Sequence, residues 1–161
     1  QCATEIRTLA YLLHPPVLDE LGLLGAIRDY TDGFARRSGM RVDLELPPAR
    51  PPLSREAELA LFRVLQEALT NAHRHSGATR VSIRLSNEGS VIRLEVRDHG
   101  QGLRLPSDKP EGTIDIGRFG VGVAGMEERL RQLGGQLEIK SGSDGVRVTA
   151  EVSMSENTTD L

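Results

Sequence analysis

The chain has 161 residues, enough for one hydrophobic core and a short appendage but not for two comfortable domains. Apolar residues make up 38% and charged residues 27%, and no apolar run approaches the roughly 20 residues a spanning helix requires, which argues against contact with a membrane. A net charge of -3 without a Lys/Arg stripe argues against a nucleic-acid partner, and a single cysteine, Cys2, removes disulfide frameworks and cysteine metal sites and suits a reducing compartment.

In chain order, Ile6, Leu9 and Leu13 stand at helical spacing until His14-Pro15-Pro16 stops them. The chain is expected to start inside a longer helix, so residues 1–16 read as a helix stub and linker, 17–154 as the folded domain and 155–161 as a loose tail. Asp19 is the expected cap of a helix carrying Leu23, Ile27, Tyr30 and Phe34, ended by Ser38-Gly39. Val42, Leu44 and Leu46 alternate with acids as a half-buried strand, followed by an exposed proline-rich connection from Pro47 to Pro52. Ser54 is placed to cap a long helix reaching about His75. Two strands, about 80–85 and 91–97, flank a hairpin turn at 86–90. Residues 100–122, rich in glycine, proline and charge, have no sustained period and read either as a functional lid or as a disordered segment. A helix over 123–133 ends at Gly134-Gly135, and strands 136–140 and 146–152 flank a turn at 141–145.

At about 100° per residue, Leu61, Phe62, Leu65, Leu69 and Ala72 fall in one sector of the long helix, while Glu67, Asn71, Arg74 and the adjacent His75 fall on the other side. Two readings remain open for that polar stripe. It is either the solvated face of an amphipathic helix or a surface for a metal nucleotide. In the second case the Asn71 oxygen suits Mg²⁺, which prefers hard oxygen ligands, and Arg74 and His75 face phosphate. His73 lies off the stripe, as a helix-flank residue.

Downstream, Asp98-His99-Gly100-Gln101-Gly102 places an acid at a strand end before two glycines. It reads either as a turn or as a site in which the Asp98 carboxylate accepts a hydrogen bond from an amine such as that of adenine. Gly120-Val121-Gly122-Val123-Ala124-Gly125 opens a helix whose free amides suit an anion. The same string matches the dinucleotide fingerprint, with Glu138 near the distance expected for a ribose contact, but no apolar strand runs into Gly120.

Taken together, the segments 67–75, 98–102 and 120–126 resemble the N box and the two glycine boxes of the GHKL ATPase superfamily, in the same order. Leu12-Leu13-His14-Pro15-Pro16 with Leu18-Asp19-Glu20-Leu21-Gly22-Leu23, and Gly125-Met126-Glu127-Glu128-Arg129, resemble the nitrate-sensor and DesK-like subclass of sensor histidine kinases. The resemblance implies an α+β fold, a two-layer α/β sandwich whose mixed, mostly antiparallel sheet is covered by helices on one face. It implies ATP and Mg²⁺ as cofactors, with Asn71 holding the metal and Glu67 orienting water or metal ligands as the catalytic pair. Arg74 and His75 would meet phosphates and Asp98 the adenine amine, while Gly100, Gly102, Gly120, Gly122, Val123 and Gly125 would shape the hinges and the phosphate cradle.

The implied reaction moves the ATP γ-phosphoryl to a histidine on a dimerisation helix expected upstream of Gln1, and onward to a response regulator. The fragment is expected to be cytoplasmic, with anchoring of the full protein left open. His99 departs from the family's usual asparagine and Val146 from its usual threonine. Alternatives are a GHKL ATPase or anti-sigma-factor-type serine kinase, and a nucleotide-binding regulatory module without catalysis.

Overall fold

The computed structural model describes residues 15–101, 112–113 and 121–155. The element order is α1 (Pro16–Ser38), β1 (Arg41–Glu45), α2 (Arg55–His75), β2 (Arg80–Glu88), β3 (Val91–Asp98), β4 (Gly112–Thr113), α3 (Val121–Gln132), β5 (Gln136–Gly142) and β6 (Gly145–Ser153). The strands form one six-stranded sheet in the order β1-β2-β3-β6-β5-β4. Among the described strands only β1 and β2 pair in parallel; the other pairings are antiparallel. The expected α+β class and mixed, mostly antiparallel sheet are what the chain adopts.

Alternation along the strands sends Val81, Ile83 and Leu85 of β2, Ile92, Leu94 and Val96 of β3, Leu137 and Ile139 of β5, and Ala150 and Val152 of β6 into the core. The helices meet them there. Leu61, Phe62, Leu65 and Leu69 of α2 are fully buried, each contributing roughly 1.5–3 kcal/mol of burial. Leu23, Ile27 and Phe34 of α1 join that core, and the Tyr30 ring packs edge-on to Phe62 with centroids 5.7 Å apart. The opposite face of the sheet is a lattice of ion pairs: Arg80 with Asp43, Arg84 with Glu45, Arg93 with Glu88 and Glu151, Arg97 with Asp144, and Arg147 with Glu95.

Helix α2 starts where the sequence places it, the Ser54 hydroxyl accepting from the Ala57 amide at 3.1 Å. Helix α1 differs from expectation. It begins at Pro16 with Pro15 as the capping residue, and Asp19 lies inside the first turn, where it ion-pairs with Arg55 instead of capping. Helical residues on either side of Gly22 (φ 66°) are separated by a break at that residue. The Arg50 guanidinium lies against Gly22 and grips the buried Glu58 of α2 by two hydrogen bonds of 2.8 and 3.0 Å. Strands β2 and β3 extend further than expected, leaving only Gly89 and Ser90 between them, and β5 and β6 leave only Ser143 and Asp144.

Within the glycine-rich stretch, Gly112 and Thr113 add the two-residue strand β4 against Lys140 and Ser141, which the sequence pattern did not suggest. Helix α3 starts two residues earlier than expected and ends in a Schellman motif: the Gly135 amide reaches the Leu130 carbonyl and the Gly134 amide that of Arg131. The expected helix over 6–13, the rest of the 100–122 loop and the tail beyond Ser155 lie outside the described residues. No helix among the described residues is long and apolar enough to cross a membrane.

Candidate nucleotide site

The polar stripe of α2 lies as expected: Glu67 and Asn71 are half-buried, and Arg74 and His75 are exposed. None of the four side chains makes a hydrogen bond or ion pair with a described residue. The contrast with the sheet is informative, since every arginine of β1, β2, β3 and β6 is ion-paired. His73 is turned away and stacks edge-on to Phe34 with centroids 6.2 Å apart, in keeping with a flank residue.

Asp98 continues the inward set Ile92, Leu94, Val96, so its carboxylate faces the helix layer although it is only 6% exposed. Its Oδ1 accepts the amides of Gly100 at 3.1 Å and Val146 at 3.2 Å. Both bonds fall on one oxygen, so Oδ2 is left for a further donor. Val146 thus reaches Asp98 through its backbone, and the absence of a threonine hydroxyl does not remove the contact. Gly145 makes this possible: with φ 123° and a would-be Cβ only 2.0 Å from the Asp98 carbonyl oxygen, no other residue fits there without a shift. His99 is one residue out of phase. Its Nε2 lies 2.7 Å from the Ser82 hydroxyl, on the outer face of the sheet and away from α2.

Ser76, which sequence reasoning passed over, joins these two parts. Its carbonyl accepts the Gln101 amide at 3.2 Å, and a Cβ on Gly100 would lie 2.3 Å from that same oxygen. The available signal was Ser76-Gly77 directly after the helix, an ordinary helix-ending pair. On the other flank, Gly122 in the first turn of α3 approaches Glu67, whose carboxylate would be 3.7 Å from a Cβ there. A carboxylate beside a helix N-terminus is favoured by the free amides and the helix dipole. Glu67, Thr70, Gly122, Gly125, Met126 and Arg129 line part of an open cleft of about 600 Å³ between α2 and α3.

Of the predicted residues, that cleft gathers Glu67, Gly122 and Gly125, while Asp98 and Gly100 cluster at the Ser76 junction. The Val123 side chain is buried in the core and can offer a ligand only its amide. Gly102 and Gly120 lie outside the described residues. Among the described residues no three His, Cys, Asp or Glu side chains converge. A cation beside Asn71 would therefore draw most of its ligands from phosphate and water, which is how Mg²⁺ is usually held with a nucleotide. The donor set fits Mg-ATP: an unpaired amide oxygen, two unpaired basic groups, and a buried carboxylate with one open oxygen.

The chain is 36% identical over 153 residues to the sensor histidine kinase MctS of Rhizobium johnstonii, covering 95% of this chain and 32% of that protein. To the oxygen sensor histidine kinase NreB of Staphylococcus carnosus it is 34% identical over 154 residues, covering 94% of this chain and 42% of that one. The chain thus spans well under half the length of these curated relatives. In fold it is similar to the histidine kinase domain of the Erythrobacter litoralis EL346 blue-light activated kinase, with TM-score 0.62 and 22% identity over 80% of this chain and 59% of that one. It is also similar to Acinetobacter baumannii histidine kinase AdeS, with TM-score 0.60 and 19% identity over 83% of this chain and 64% of that one. Residues 56–156, from the start of α2 to the end of β6, match the family described as histidine kinase-, DNA gyrase B-, and HSP90-like ATPase, and the chain belongs to that family.

Proposed function

We propose that the chain is the catalytic, nucleotide-binding part of a sensor histidine kinase, with residues 17–154 as its folded unit. It binds Mg-ATP and passes the γ-phosphoryl group to a histidine on a dimerisation helix of a longer protein, for relay to a response regulator. Such a part would work in the cytoplasm. The observation that carries the reading is the Asp98 carboxylate, buried and held by two amides on Oδ1 while Oδ2 has no described partner. An acceptor-only group in that position favours a ligand that brings an N–H, such as the exocyclic amine of adenine, and disfavours the carbonyl of guanine.

The remaining residues divide the work along the ligand. Asn71 would offer its amide oxygen to the metal, and Glu67, half-buried at the α3 N-terminus, would orient water beside it. Arg74 and His75 offset phosphate charge from the last turn of α2, and the first amides of α3 supply further donors. Mg²⁺ held there would supply positive charge to offset the charge that develops during transfer. Catalysis in this arrangement is positioning and charge stabilisation of a phosphoryl group passed to an acceptor outside the site.

Calorimetric titration tests the reading. Asp98→Asn places an amide where an acceptor-only group stood, and Mg-ATP affinity is expected to fall about tenfold or more, the usual loss for a hydrogen bond to a charged group. Preference for ATP over GTP should shrink as well. Equal affinity of wild type and variant for both nucleotides would overturn the assignment. Phosphate appearing on a supplied dimerisation helix, and not on a protein serine, separates a histidine kinase from the related serine kinases.

A further inference from the structure

Ser76 is 5% exposed and sits where three segments meet. Its hydroxyl donates to the Ala72 carbonyl at 2.5 Å and accepts the Ala78 amide at 3.0 Å, while its own amide also bonds Ala72 at 3.2 Å. These bonds fix the orientation of the peptide group that follows, and its carbonyl takes the Gln101 amide. Gly100 packs so closely on Ser76 that a Cβ would lie 2.3 Å from the carbonyl oxygen and 2.8 Å from the serine Cβ. The loop that follows Asp98 is thereby seated on the end of the helix that carries Asn71 and His75.

We propose that Ser76 is a positioning residue that sets the separation between the Asp98 carboxylate at one end of the nucleotide site and the Asn71, Arg74 and His75 groups at the other. The proposal rests on the nucleotide reading given above. Its logic is geometric. The serine touches neither end of a ligand, but the two ends belong to different elements, β3 and α2, and Ser76 is where their backbones are in register. Removing the hydroxyl frees the half-buried Ala78 amide and the 76–77 peptide to reorient, and the loop carrying Gly100 moves relative to α2. A ligand that uses only one end does not register such a shift. A ligand that spans both ends must bind in strained form or give up one set of contacts.

The experiment compares adenosine, which reaches only the Asp98 end, with Mg-ATP, which spans the site, on wild type, Ser76→Ala and Ser76→Cys, alongside thermal melting. The advantage of Mg-ATP over adenosine is expected to fall about tenfold in Ser76→Ala, with adenosine affinity held within about twofold. Ser76→Cys, nearly isosteric with a weak donor, should show the same selective loss to a smaller degree, and it serves where the alanine variant melts too low to titrate. A residue that mattered only for stability would lower the melting temperature and weaken both ligands alike, and that result overturns the proposal while leaving the nucleotide site standing. An unchanged ratio overturns it too. Wild-type protein that binds neither ligand overturns the site reading itself and this proposal with it.

Discussion

Replacing Gly145 by alanine separates two costs that are usually confounded. At φ 123° an alanine is strained by ~1–3 kcal/mol, and its Cβ would stand 2.0 Å from the Asp98 carbonyl oxygen and 2.8 Å from Oδ1. Relieving that overlap means moving the β5–β6 hairpin off β3, an overpacking cost of ~1–3 kcal/mol. The sum, ~2–6 kcal/mol, corresponds to a fall in Tm of about 5–20 °C for a chain of this length. The same movement draws the Val146 amide away from Oδ1, so Mg-ATP affinity should drop about tenfold or more. Gly39→Ala is the matched control: its φ is 71°, nothing lies within 4 Å of its would-be Cβ, and it makes no contact with Asp98 there. It should cost only the strain and leave binding as it was. Circular dichroism melting with calorimetric titration of both variants decides the matter. A Gly145→Ala protein that melts and binds like Gly39→Ala would refute the close approach as the reason for glycine.

Asn71→Ala removes a side chain with no described partner, so Tm should stay within about 2 °C while Mg²⁺-dependent ATP affinity falls about tenfold, measured by titration with and without the metal. Arg50→Ala leaves the Glu58 carboxylate, 4% exposed, without its only described cation; a loss of about 2 kcal/mol in urea unfolding is expected, and a change under 0.5 kcal/mol would contradict it. Glu151 has its carboxyl pKa held below the usual 4.5, first by the Gln136 amide and then by Arg93. Its contribution to stability is therefore present above about pH 4.5 and lost as pH falls through the lower folded-state value. Glu151→Gln should flatten the acid limb of the urea midpoint against pH, and a limb as steep as that of wild type would count against the pairing.

How much of this could be read from the residues depends on the range of the interaction. Helix α2 was legible because its apolar sector repeats every turn and Ser54 marks its start, both local signals. The β3 alternation carries through Asp98 and points it inward, so the acid's facing is also local information. The break at Gly22 was not legible: Leu18 and Leu23 are buried on either side, and a lone glycine in a helical pattern is compatible with an unbroken helix. Glu58 looks like any polar position on α2, and only Arg50, eight residues away across a proline-rich connection, accounts for its burial. Ser76 was missed for the same reason. Its importance comes from Gly100, which the sequence places 24 positions downstream. The hairpins outran their expected ends because polar residues such as Ser86 to Glu88 pair when a partner strand continues alongside them.

The two margins of the described sheet bear on how the chain meets other copies of itself. One margin is β1, five residues long with Arg41, Asp43 and Glu45 along it, and the other is the two-residue β4. Exposed strand margins are templates for pairing with another chain, and shortness and charge are the common defences. With its outer face laced by internal ion pairs, the described part of the sheet offers a second molecule neither a long ladder of free amides nor an apolar plane. Among the described residues, both margins are thereby poor templates for a continuous intermolecular sheet.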